Sequence, residues 1–145
     1  MILILLLQII CCAFLTGLIW VIQILHYPAF ARIANDQFAM FHLEHSNRIT
    51  WIVGPVMLLE LATAVLALYL LPESIEYWVS GGMLIVIWLS TFFLSVPIHN
   101  QLAKYFNGKL AERLVLTNWP RTVLWSARLV MLTFFFLRLI APRQL

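Results

Sequence analysis

The chain has 145 residues, of which 63% are hydrophobic and only 10% charged, and its formal net charge is +3. That balance excludes an ordinary soluble domain, and with no basic run it excludes a nucleic-acid surface; it points to an integral membrane protein. The two cysteines, Cys11 and Cys12, are adjacent within an apolar segment, so they build neither a disulfide scaffold nor a CxxC site and read as small buried residues.

Residues 1–25 are almost uninterrupted apolar, enough to cross a hydrocarbon core about 30 Å thick. No lysine or arginine precedes Arg32, unlike the basic start of a signal peptide, so the segment is expected to be a retained first transmembrane helix. His26-Tyr27-Pro28 is expected to end it, because proline disfavours helix at the preceding residue and tyrosine suits the interface. Asn35 or Asp36 then caps a second helix from about Gln37 to Leu71, roughly 50 Å long, whose first turns project beyond the hydrocarbon. Gly54-Pro55 is expected to kink it.

Pro72-Glu73-Ser74-Ile75-Glu76 makes an acidic turn. The third span runs from Tyr77 to Ile98, with Pro97 near its end and His99-Asn100-Gln101 directly after. Residues 102–116 read as a polar connection of two short interfacial pieces around the turn signal Asn107-Gly108. Thr117 or Asn118 caps the last helix, Pro120 lies in its first turn, and Pro142 follows its end. The predicted fold is an all-α, integral membrane four-helix bundle forming one domain over 1–145. Its spans are about 2–26, 48–71, 77–98 and 118–140, with helix 2 extended beyond the bilayer.

Helical phase turns several ionisable residues inward. At about 100° per residue, Phe38, Phe41, His42, His45, Ile49, Ile52, Val56 and Glu60 fall within roughly 100° of one another, with Asn47 on the opposite side. On the last helix Arg121, Trp125 and Arg128 share a sector of about 60°, with Asn118 at its edge. His99, Ser95, Phe92 and Trp88 share a side of the third helix, and Gln23 lies one turn before His26 on the first. Four alternating spans bring all four histidines to one membrane face. That face also holds Arg32, Arg48, Lys104, Lys109, Arg113 and Arg121, against Arg138 and Arg143 at the other end. The positive-inside rule makes it cytoplasmic, with both termini outside.

Glu60 and Arg128 lie deep in their spans, where charge is costly unless it faces the interior and is paired, so they are expected to pair. The candidate catalytic residues are His42, His45, Arg121 and Glu60. Gln23, Asn100, Asn118, Trp119, Trp125 and Arg128 are candidates to bind a ligand. His26, His42, His45 and His99 are candidate ligands for iron, copper or zinc, or axial ligands of haem. His42 and His45 are spaced i, i+3, but there is no HExxH, no Glu-x-x-His and no duplicated carboxylate motif.

Gly17 with the segment ending His26-Tyr27-Pro28-Ala29, the run Val96-Pro97-Ile98-His99-Asn100-Gln101-Leu102, and Thr117-Asn118-Trp119-Pro120-Arg121-Thr122 resemble the small four-helix membrane proteins grouped with the anthrone oxygenases. The resemblance implies oxidation of an anthrone to an anthraquinone with oxygen and without a bound cofactor. It also implies an interface pocket around the residues matching Pro97, Asn100, Asn118, Trp119 and Arg121; the His42/His45 pair has no counterpart in that pattern.

Three functions follow as expectations. The first is an oxidoreductase acting on an apolar aromatic or quinone-like small molecule that enters from membrane lipid, with arginine stabilising a phenolate or enolate and histidine as base. The second is a metal- or haem-binding membrane protein. The third is a non-enzymatic subunit, as a homo-oligomer or within a larger membrane complex.

Overall fold

The structure is a computed structural model that describes residues 2–141. Pro142 and Arg143, to which the sequence assigns the end of the last helix and a terminal cation, lie outside the described residues. Four helices are each long and apolar enough to cross a membrane: α1 (Ile2–Ala29), α2 (Asn35–Leu70), α3 (Ile75–Leu102) and α4 (Gly108–Ile140). There is no strand among the described residues. The chain is thus a multi-pass, all-α membrane bundle. α4 packs against α1 and α3, and α1 packs against α2. α2 and α3 touch more at their Pro72 end than at their histidine end, so the bundle is open between them on the histidine side.

α1 and α3 share a device that the sequence does not announce. In α1 the turn Ile22–His26 is π-helical, with the Tyr27 N–H donating to the Ile22 carbonyl. In α3 the turn Thr91–Ser95 is π-helical, with the Val96 N–H donating to the Thr91 carbonyl. Each wide turn ends two residues before a proline, Pro28 or Pro97. A proline in an α-helix lacks its own donor and clashes with the carbonyl four residues back; a π-turn moves that carbonyl out of register. The helices therefore continue past both prolines to Ala29 and Leu102, which corrects the expected ends at His26-Tyr27-Pro28 and Ile98.

α2 runs unbroken through Gly54-Pro55 for 36 residues, about 54 Å of helix, so it overhangs a 30 Å core. It starts at Asn35 behind Ala34 and no side chain caps it. Asn35 and Asp36 lie within its first turn rather than before it, where the Asp36 charge favours the positive end of the helix dipole. Its inward face holds Phe38, His42 and Glu60, fully buried, but Phe41 and Ile52, at the edges of the predicted sector, are 43% and 49% exposed.

The last helix differs most from expectation. It begins at Gly108, and its cap is Asn107, whose side-chain oxygen accepts from the Leu110 N–H at 3.2 Å. Thr117 and Asn118 are therefore interior, and so is Pro120. The expected polar connection is mostly helix: Lys109, Glu112 and Arg113 are its solvated side while Ala111 and Leu114 are buried. Polarity there marks a helical face outside the hydrocarbon, not a loop.

One network joins all four helices deep in the bundle. Arg128 of α4 donates from Nε to Ser80 Oγ of α3 at 2.8 Å, from Nη2 to Gln8 Oε1 of α1 at 3.1 Å, and from Nη1 to Glu60 of α2. The second Glu60 oxygen accepts from Trp125 Nε1 at 3.2 Å, and Gln8 Nε2 donates to the Thr63 carbonyl at 3.2 Å. Gln8, Glu60 and Arg128 have no exposed surface. The expected ion pair is thus present, and its partners satisfy the charge on every side. Around it pack Leu5, Cys12, Leu15, Ile87 and Leu132, and Cys11 and Cys12 are the small, free, buried thiols the sequence suggests.

Breaking such a pair from one side leaves a buried charge uncompensated, at a cost of about 3–5 kcal/mol. Arg128→Ala is expected to lose that much and to abolish the four-helix tie. Glu60→Gln keeps a carbonyl acceptor for the guanidinium and loses less. Thermal melts in mild detergent measure the order; equal tolerance of the two substitutions would contradict it.

Candidate functional site

The opening between α2 and α3 is a cavity of about 550 Å³, with most of its wall from those two helices and the rest from α1 and α4. Its apolar lining includes the buried Leu15, Ile19 and Met57 and the exposed Phe92, and its polar residues include Tyr27, Ser95, His99, Asn100 and Arg121. Trp88 and Trp125 are also part of the wall. Gly54 is part of the wall and borders open space: a Cβ built there meets nothing within 4 Å. Glycine also spares the residue before Pro55 the clash that a side chain would bring.

Two hydrogen-bonded chains hold the polar wall. In the first, the Tyr27 hydroxyl lies 3.1 Å from His99 Nε2, and His99 Nδ1 lies 3.0 Å from His42 Nε2. Two facing ring nitrogens need one N–H and one lone pair, so the tautomers of His42 and His99 are tied to each other. His42 has no exposed surface; it stacks on Phe38, with ring centroids 5.5 Å apart, and meets Phe30 edge-on at 5.5 Å.

In the second chain, Gln23 Nε2 donates to the Val115 carbonyl at 3.1 Å and Asn118 Nδ2 donates to Gln23 Oε1 at 2.6 Å. Arg121 Nη2 donates to Asn118 Oδ1. Gln23 and Asn118 thus orient Arg121 instead of lining the cavity.

The sequence-predicted residues divide by place. His99, Asn100, Arg121 and Trp125 line the cavity. His42 backs His99, and Gln23 and Asn118 back Arg121. Glu60 and Arg128 lie beneath, joined to the wall through Trp125. His26 and His45 form an outer pair, their ring centroids 3.9 Å apart and neither ring part of the wall. Trp119 packs edge-on against Trp20 at 5.8 Å, also away from the cavity. Tyr27 is the residue that sequence reasoning left out. Its type and position suit the membrane interface, but the π-turn before it brings its hydroxyl to His99.

Among the described residues no group of three or more His, Cys, Asp or Glu side chains is placed to hold a metal ion. The facing nitrogens of His42 and His99 are 3.0 Å apart, the distance of a hydrogen bond. The two rings therefore share one proton between them.

Several polar atoms of the cavity-lining residues have no hydrogen-bond partner in the protein: Arg121 Nε, Ser95 Oγ, Trp88 Nε1 and Ser46 Oγ. An unpaired buried polar group costs about 1–3 kcal/mol. A cluster of them around an apolar cavity is suited to a binding site held at the expense of stability. Ser95→Ala is therefore expected to leave the melting temperature of the ligand-free protein unchanged or raised. A marked drop in a detergent melt would mean that the hydroxyl is already satisfied.

Comparison with known proteins gave no match: no protein family model, no curated protein and no solved structure matches the chain.

Proposed function

We propose that the cavity binds an apolar aromatic molecule bearing one ionisable oxygen, of phenol, enol or quinone type, and that the protein is an oxidoreductase acting on it. The observation that carries this reading is the pairing, on one wall of a mostly apolar cavity, of Arg121 with the hydrogen-bonded Tyr27 and His99. A flat apolar ring suits the lining of Ile19, Met57 and Phe92. Arg121 supplies a fixed positive charge for the anion of the oxygen, and His99 with Tyr27 accepts its proton.

The resemblance to the anthrone oxygenases supports the same reading and names a reaction. An anthrone loses a proton, and its anion is oxidised by dioxygen to the anthraquinone with release of water. Asn100 and Arg121, two of the residues implied by that resemblance, line the cavity, while Asn118 orients Arg121. A mostly apolar ligand would enter from the lipid, between α2 and α3 where they splay apart.

Binding is read from the fluorescence of Trp88 and Trp125, and turnover from oxygen uptake with anthrone. Arg121→Gln is expected to weaken binding of 4-nitro-1-naphthol about tenfold to a hundredfold, the loss of a charged hydrogen bond worth about 1.5–3 kcal/mol. Failure of the unaltered protein both to bind this naphthol and to consume oxygen with anthrone would overturn the reading.

The cation distribution supports a cytoplasmic position for the histidine end. Arg32, Arg48, Lys104, Lys109 and Arg113 are exposed on the connections and helix ends of that side, against Arg138 at the other end. With this orientation, an impermeant thiol reagent applied outside intact cells labels Glu73→Cys and spares Lys104→Cys. The opposite pattern would reverse the topology.

A further inference from the structure

We propose that Tyr27, His99 and His42 form a proton path from the cavity towards the aqueous end of the bundle, ending at the His26–His45 pair. The path rests on the reading above in one respect, that the ligand's oxygen supplies the proton; its geometry is independent of the ligand.

Tyr27 and His99 both line the cavity, and His42 does not. Two hydrogen bonds, of 3.1 and 3.0 Å, run from the Tyr27 hydroxyl through both nitrogens of His99 to His42 Nε2. The chain has two complete protonation patterns. In one, Tyr27 donates to His99 Nε2, His99 Nδ1–H donates to His42 Nε2, and the His42 proton is on Nδ1. In the other, every bond is reversed: His42 Nε2–H donates to His99 Nδ1, His99 Nε2–H donates to the Tyr27 oxygen, and the Tyr27 proton is free for the cavity.

Passing from the first pattern to the second moves one proton through. The ligand's proton arrives on the Tyr27 oxygen as the tyrosine proton shifts to His99 Nε2. The His99 proton shifts to His42 Nε2, and the proton of His42 Nδ1 leaves. One proton enters from the cavity and one departs at His42, with no change in the charge of the three residues. Reprotonation of a product runs the same steps backwards.

At the far end of the chain His42 Nδ1 is buried and has no hydrogen-bond partner in the protein. His45 lies three residues on along α2, and its ring, like that of His42, packs edge-on against Phe30, with centroids 5.8 and 5.5 Å away. His45 in turn lies against His26 of α1 at 3.9 Å, and both are partly exposed. No hydrogen bond joins His42 Nδ1 to this pair, so the last transfer needs a ring rotation or a bridging water. The ionisable groups around His99 and His42 are Tyr27 and His26 from α1, His45 from α2 and Arg121 from α4. Of these Arg121 is the one permanent charge, and it repels a proton that stays on His99. Among the described residues no carboxylate stands with them to hold the proton midway.

The experiment uses 4-nitro-1-naphthol, coloured as its anion and held below its own pKa so that it arrives protonated, mixed in stopped flow with the detergent-solubilised full chain and a pH indicator. In the unaltered protein the anion colour and the proton released to the indicator should rise together. His42→Phe suits the Phe30 and Phe38 cage; it should keep the naphthol's affinity within a few-fold and slow proton release by about a hundredfold, the scale of a lost general acid–base group. Added imidazole should restore part of the rate in His42→Ala. Proton release by His42→Phe at the unaltered rate, with the naphthol bound, would overturn the path.

Should the naphthol not bind at all, the proposed ligand class fails and the path is judged by nitrogen NMR of the histidines. Tyr27→Phe removes the first link and should change the tautomer balance of both His99 and His42. Unchanged His42 signals would overturn the path on their own.

Discussion

The bundle depends on one buried charge being answered from three directions. A guanidinium in the interior of a membrane protein is tolerable only when its donors meet acceptors, and Arg128 finds them on α1, α2 and α3 while belonging to α4. In lipid the hydrophobic effect does not press helices together, so polar contacts and close packing fix which faces meet. The Arg128 network therefore sets the rotation of every helix about its axis. With those rotations fixed at one depth, the residues nearer the histidine end have little freedom in where they point.

Above this tie the bundle has two different textures. α1 and α4 stay closely packed up to Gln23 and Asn118, where side-chain amides replace apolar contacts. α2 and α3 diverge, and the space between them is the cavity. Trp125 is the joint between the regions, with one part in the cavity wall and its ring nitrogen on Glu60. A ligand that displaced this indole would disturb the ion pair, which couples occupancy of the cavity to the rigidity of the core.

The sequence made the membrane class, the number of spans, the inward phase of His42 and Glu60 and the Glu60–Arg128 pair readable, because each follows from hydropathy, helical period or the cost of a lone charge. It did not make the helix ends readable around prolines. Pro28 and Pro97 look like stops when only α-helical geometry is considered, and the π-turns that accommodate them have no compositional mark. The same limitation hid Tyr27. Phase arguments assume a constant angle per residue, and a wide turn breaks that assumption for everything beyond it. The four histidines lie near one another, but spacing along the chain groups them too coarsely. His99 belongs to the cavity wall, His42 lies behind it, and His26 and His45 lie outside, a division that sequence spacing does not resolve.

The two π-turns have a consequence for how α1 and α3 tolerate change in length. A π-turn holds one residue more than an α-turn, so loss of a single residue from 22–26 or 91–95 can be absorbed as ordinary α-helix without breaking the span. The wide turn covers the same rotation with one residue more, so everything on the far side would keep its place about the helix axis relative to the tie below. Tyr27 would stay at His99, and His99 at His42, but the proline would again meet the carbonyl that the wide turn moves out of register. A deletion in the purely α-helical part of either span has no such buffer: it turns all that follows by about 100° and parts the cavity wall from the core, while Arg128 and its partners stay in place.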